Sequence, residues 1–118
     1  DGDGAVLMHM GAMPVIADCH PKNLVHIVIN NGSYETVGGE PTVMVDINIA
    51  DIAKDCGYDE AVRVETPEDL DIALQKAKET DALTLIEVMS SIGARADLGR
   101  PTTTAMENKE NFMEYLRR

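Results

Sequence analysis

The run Ala82-Leu83-Thr84-Leu85-Ile86-Glu87-Val88-Met89 constrains this chain more than any other stretch. It is almost continuously apolar, so it reads as a strand covered on both faces. Strands of that kind belong to parallel sheets sandwiched between helices. Two further strands fit such a sheet. Leu24-Val25-His26-Ile27-Val28-Ile29 is apolar and β-branched and stops at Asn30-Asn31-Gly32, a strong turn signal, and Ala61-Val62-Arg63-Val64-Glu65 alternates. Between them the apolar residues switch to helical spacing. A helix is expected over 47–56, stopped by Gly57 at C′. Another is expected behind Thr66 as N-cap, with Pro67 at its first position and Leu70, Ala73, Leu74 and Ala77 on one face. A helix is expected to start near His9 or Met10 with Pro14 early in it, and a last one to run from Met106 to Leu116 with Phe112, Met113 and Leu116 on one face. Ser90 to Thr104 reads as an extended surface segment. The fold class is therefore α/β, a three-layer α/β/α arrangement with a mainly parallel sheet, in a single domain over 1–118.

Charge narrows the partners. The 118 residues carry a net charge of −11, which argues against nucleic acid and anionic membranes, surfaces read by Lys and Arg. No apolar run is long enough to cross a membrane, and with no basic n-region ahead of an apolar h-region in the opening residues no secretory signal is expected. The two cysteines, Cys19 and Cys56, suit free thiols in a reducing cytoplasm. The chain opens on Asp1-Gly2-Asp3-Gly4 without an initiator Met and without the strand that normally delivers the backbone to such a turn. The expectation is a piece of a longer protein, truncated at an N-terminal strand.

Several motifs fail. Gly2-Asp3-Gly4 lacks the third glycine of a dinucleotide fingerprint, because position 7 is Leu, and Ala12 stands where a calcium loop needs Glu. There is no CxxC, HxxxH, serine elbow or Walker lysine. What remains is an ordered pair: Gly2-Asp3-Gly4-Ala5 ahead of a helix, and Asn30-Asn31-Gly32-Ser33 at the end of the next strand, with Asn31 28 residues after Asp3. In an open parallel sheet the C-terminal ends of neighbouring strands face one crevice. Each element alone reads equally as an ordinary loop turn. Together they offer a carboxylate (Asp3), an amide oxygen (Asn31) and a carbonyl (Ser33), hard oxygens that suit magnesium, which takes its other ligands from phosphate and water. Gly2 and Gly4, flanking Asp3, let the backbone approach such phosphates.

Gly-Asp-Gly, a spacer of this length and Asn-Asn resemble the cofactor motif of thiamine diphosphate-dependent enzymes. The resemblance to the phosphonopyruvate decarboxylase branch runs through Met8-His9-Met10-Gly11, Asn23 to Asn31, Gly38-Gly39-Glu40-Pro41-Thr42 and the tail Arg95 to Thr104. It implies the thiamine diphosphate-binding fold, with thiamine diphosphate and Mg2+ as cofactors. It further implies Asp3 and Asn31 as metal ligands, Ser33 as the source of a ligating carbonyl, Gly4 and Ala5 as amides on the diphosphate, and Tyr34 beside the cofactor. The implied partners are a small 2-keto acid, a pyrimidine-binding N-terminal domain outside these residues, and further copies in a homo-oligomer. The residue that activates the aminopyrimidine lies in that other domain, so no catalytic side chain is assigned here and the 118 residues alone are expected to be inert. Sulfopyruvate decarboxylase is the near alternative. The β subunit of a 2-keto acid ferredoxin oxidoreductase fits less well, since cluster-binding parts need more cysteines. A non-catalytic dimerising domain is the alternative of a different class.

Other polar residues stay open. His9 could face the substrate or be only a polar residue at a helix N-terminus, and His26 reads as a satisfied strand histidine. Arg95 and Arg100 could bind a phosphonate bidentately or face solvent. Met8, Met10 and Met13 are expected in a core or interface, and Glu35 and Glu40 are acids in the loop after the metal motif.

Overall fold

The computed structural model describes residues 1–99 and 101–117. Its sheet holds β1 (Val25–Asn30), β2 (Glu60–Val64) and β3 (Thr84–Met89) in the order β1-β3-β2, all parallel. The last strand in sequence is thus the central one, which explains its composition. Thr84, Leu85, Ile86 and Glu87 are all buried, whereas β1 and β2 are edge strands with Val25, Ile29 and Val62 exposed. All three strands lie within two residues of their expected positions.

Helix α3 (Ile49–Cys56) connects β1 to β2 and α4 (Pro67–Glu79) connects β2 to β3. These crossovers run in opposite directions across the sheet, so one right-handed sense puts the two helices on opposite faces. The caps act as expected: Thr66 Oγ1 accepts from Asp69 N at 3.1 Å, and Gly57 closes α3 in the left-handed region at φ 107°. On the α3 face, Val28, Leu85 and Ala61 pack with Ile49, Ala53, Tyr58, Val6 and Met13 into one core.

One charged residue lies inside the buried strand. The Glu87 carboxylate is fully buried and accepts from Asn30 Nδ2 (2.8 Å), Ile49 N (3.1 Å), Ala50 N (3.3 Å) and Arg63 Nε (2.9 Å). Val28 and Arg63 are its register partners on β1 and β2. A single carboxylate therefore joins all three strands to the N-terminus of α3, and its hydrogen bonds offset the cost of burying charge. Arg63 in turn is held more basic than usual, first by its hydrogen bond to Glu87.

The N-terminal region differs from expectation. No helix starts at His9 or Met10. Instead α1 spans Asp3–Met8 and α2 spans Ala12–Cys19, separated by a turn over 9–11. Pro14 is the third residue of α2, where the first-turn N–H groups have no helical partner in any case, so proline costs nothing there. Asp3 is then already helical rather than part of a turn ahead of the helix. Met13 is buried and Met10 packs against the core, but Met8 is exposed. The described residues of 90–104 are exposed and carry no helix or strand, as expected. Helix α5 (Ala105–Tyr115), closed by a Thr104–Glu107 capping box, leaves Met106, Phe112 and Leu116 exposed. No helix among the described residues is long and apolar enough to cross a membrane.

Candidate functional site

The backbone of Asp1 and Gly2 runs alongside β1. Ile29 N donates to Asp1 O at 2.9 Å, and Gly2 forms a parallel bridge with Ile29. The chain then turns directly into α1, which places Asp3 beside the C-terminal end of β1. Asp3 is 2% exposed, and its Oδ2 accepts from the buried Thr42 hydroxyl at 2.5 Å. Thr42 N donates to Gly32 O at 2.9 Å, so Thr42 ties the Asp3 carboxylate to the loop that follows β1.

The two asparagines separate by strand alternation. Asn30 is fully buried, donating to Met44 O and Glu87 and accepting from Gly32 N at 3.2 Å. Asn31 borders the cleft instead. Its Oδ1 accepts from Ser33 N at 3.1 Å, an Asx turn, and its Nδ2 donates to Glu35 at 2.6 Å. Ser33 bridges to Pro41, and the loop closes through Tyr34 N to Glu40 O at 2.8 Å. Gly38 and Gly39 make this return possible at φ 120° and 78°, values that residues with a Cβ rarely adopt. The buried Ser33 hydroxyl has no hydrogen-bond partner among the described residues.

Gly2, Asp3, Gly4, Ala5, Asn31, Ser33 and Tyr34 all border one cleft of about 480 Å³. The residues expected to hold the metal and the diphosphate, with Tyr34, thus line a single place. The need for glycine at position 4 is steric. A Cβ there would lie 2.4 Å from Tyr34 Cε1, so the Tyr34 ring occupies the space that any other residue would claim. Gly4→Ala in the full-length protein is expected to cost about 1–3 kcal/mol by overpacking. Urea unfolding should show a lower midpoint at unchanged slope, and adding Tyr34→Ala should recover part of the loss. Additive effects of the two changes would refute this contact.

Of the three carboxylates that border the cleft, Asp1, Asp3 and Glu35, only Asp3 is buried, and beside it stand neutral amide and carbonyl oxygens. Among the described residues no group of three or more His, Cys, Asp or Glu side chains could hold a metal. A set this sparse does not suit zinc or an all-protein calcium cage. It suits a small hard cation that draws its other ligands from phosphate and water.

Residues 1–88 match the family described as thiamine pyrophosphate enzyme, C-terminal TPP binding domain. The chain belongs to this family. It is 36% identical over 115 residues to phosphonopyruvate decarboxylase of Streptomyces hygroscopicus, covering 98% of this chain and 29% of that protein. It is 28% identical over 119 residues to sulfopyruvate decarboxylase subunit beta of Methanocaldococcus jannaschii, covering 100% of this chain and 62% of that subunit. The solved thiamine diphosphate-dependent 4-hydroxybenzoylformate decarboxylase of Rhodococcus jostii RHA1 superposes with a TM-score of 0.63 at 28% identity, over 78% of this chain and 19% of that one. The chain thus spans 29% of the length of the phosphonopyruvate decarboxylase it matches, and its α/β fold is that of the thiamine pyrophosphate-binding domain.

Within this thiamine pyrophosphate-binding domain, some candidates stand apart from the cleft. His9 caps the end of α1 and borders a neighbouring concavity with Val6, Met13 and His26. His26 is satisfied, as expected: Nδ1 lies 3.1 Å from Tyr58 Oη and Nε2 lies 2.9 Å from Asp1 Oδ2. Burial lowers its pKa from the ordinary histidine value, which favours the neutral ring. Arg95 pairs with Asp97 at 3.2 Å on the surface, and Arg100 lies outside the described residues. Glu40 is exposed and contributes its backbone carbonyl to the loop. Sequence reasoning missed Thr42 as the partner of Asp3 and Glu87 as the partner of Asn30. Thr42 had a signal, since it ends the Gly-Gly-Glu-Pro-Thr stretch, and so did Glu87, the lone acid in an apolar run.

Proposed function

We propose that this chain is the cofactor-anchoring domain of a thiamine diphosphate- and Mg2+-dependent decarboxylase that converts 3-phosphonopyruvate to phosphonoacetaldehyde and CO2. The observation that carries this reading is the convergence of Asp3, Asn31 and Ser33 with the Gly4 and Ala5 backbone at one cleft. Similarity over nearly the whole chain to phosphonopyruvate decarboxylases supports the substrate. In this reading Asp3, Asn31 Oδ1 and the Ser33 carbonyl hold Mg2+, Gly2 and Gly4 let the backbone come close, the Gly4 and Ala5 amides meet the diphosphate, and Tyr34 walls the cleft. The cofactor supplies an electron sink for the pair left when the carboxylate departs. A C–H bond replaces the broken C–C bond at the keto carbon, and the proton for it comes from outside these residues. The full-length protein is a homo-oligomer with a separate pyrimidine-binding domain, and these residues alone anchor without catalysing.

A second reading, a sulfopyruvate decarboxylase subunit, is favoured by the coverage of 62% of the M. jannaschii β subunit. The two separate in one experiment. Full-length protein with thiamine diphosphate and Mg2+ is assayed for aldehyde release from each keto acid. Turnover favouring phosphonopyruvate is expected. Preference for sulfopyruvate moves the assignment to the second reading, and no turnover of either by cofactor-loaded protein refutes both.

A further inference from the structure

We propose that Glu35 is a positioning residue that orients the Asn31 amide for the metal and tethers the segment after β3 to the same site. The inference rests on the reading of the cleft given above. Glu35 opens a short 3₁₀ turn, Glu35–Val37, and borders the cleft. Its two carboxylate oxygens have different partners: Oε2 accepts from Asn31 Nδ2 at 2.6 Å, and Oε1 accepts from Gly93 N at 2.8 Å, a residue 58 positions away.

An asparagine side chain has one face that accepts and one that donates, and either can point at a neighbour. An ionised carboxylate only accepts. With Glu35 on one side, Asn31 must turn its NH2 group toward Glu35, which leaves Oδ1 on the side of Ser33 N, so that an oxygen and not an NH2 group stays available there. Partners of metal ligands act in this way, by fixing the ligand's orientation. The second oxygen extends the effect. Gly93 sits in the left-handed region at φ 111°, four residues after β3, at the start of the exposed stretch that carries Arg95. One side chain thus links the cleft to that stretch, so occupancy of the metal site and the placement of Gly93 are coupled. Glu35 acts through Asn31, its two oxygens held by the N–H groups of Asn31 and Gly93.

The test uses full-length protein and two readouts: calorimetric titration of Mg2+ at saturating thiamine diphosphate, and hydrogen exchange at Gly93 with and without Mg2+ and cofactor. In the wild type, Mg2+ binding should slow exchange at Gly93. Glu35→Ala should raise the Mg2+ Kd by about 10–100-fold and abolish the response at Gly93. Glu35→Gln keeps the volume but can satisfy only one of the two N–H donors, so it should lose one effect and part of the other. Glu35 is exposed, and both variants should melt with the wild type when cofactor-free. If Glu35→Ala does melt lower, Glu35→Gln carries the comparison. Wild-type Mg2+ affinity in Glu35→Ala overturns the proposal, as does a Gly93 amide that still responds to Mg2+ in that variant. A wild-type protein that binds no Mg2+ and cofactor at all overturns the reading of the cleft itself, a result distinct from either.

Discussion

Asp3→Ala in the full-length protein is expected to weaken Mg2+-dependent binding of thiamine diphosphate by more than about a hundredfold, the upper range for losing even a partner of a ligand. Three carboxylates border the cleft, those of Asp1, Asp3 and Glu35. Asp1 is paired with His26, and Glu35 is engaged by Asn31 and Gly93. Asp3 alone of the three is buried, its carboxylate aimed by Thr42. Asp3→Asn sharpens the test, because its side-chain carbonyl can still accept from Thr42 while the negative charge is gone. Both variants should lose affinity by calorimetry, Asp3→Asn with the cofactor-free fold intact by circular dichroism. Wild-type affinity in both would remove Asp3 from the proposed ligand set. Thr42→Val should show a milder form of the same loss, since it frees the carboxylate without removing it.

The second large effect is on stability. Glu87→Ala is expected to cost about 3–5 kcal/mol, the usual result of removing one partner from a buried ion pair. The Arg63 guanidinium would lose its counter-charge, and Asn30 Nδ2 and the amides of Ile49 and Ala50 would lose their acceptor. Glu87→Gln should cost less, because one oxygen remains to accept. Urea denaturation of the full-length protein measures both. A shift below about 1 kcal/mol for Glu87→Ala, the worth of an ordinary exposed pair, would show that the network is replaceable by water. Because Asn30 precedes Asn31, Glu87→Gln should also loosen the loop after β1, visible as faster hydrogen exchange at Gly32, whose amide donates to Asn30.

Local patterning accounts for most of the fold. The β-branched runs, the Thr66-Pro67 start and the Gly57 stop lie where the elements begin and end, because a cap or a turn needs only its immediate neighbours. The N-terminal helices were less legible. Pro14 is tolerated only in the first turn of a helix, and where that turn begins depends on where Gly2 is held against β1. The apolar residues of α5 likewise follow helical spacing without being buried by it.

The sequence by itself determined which residue types meet at the cleft: a carboxylate between two glycines, an amide one strand later, and a small residue two places on. Those residue types at that spacing suffice, since the C-terminal ends of adjacent parallel strands must share a crevice. Only the tertiary structure decided which groups aim them. Thr42 reaches Asp3 from 39 residues away, Glu87 reaches Asn30 from 57, and Glu35 joins Asn31 to a Gly93 amide 58 residues further on. Sequence spacing carries no record of such pairs. A hydrogen bond depends on the last ångström of approach, and the whole packed sheet sets that distance.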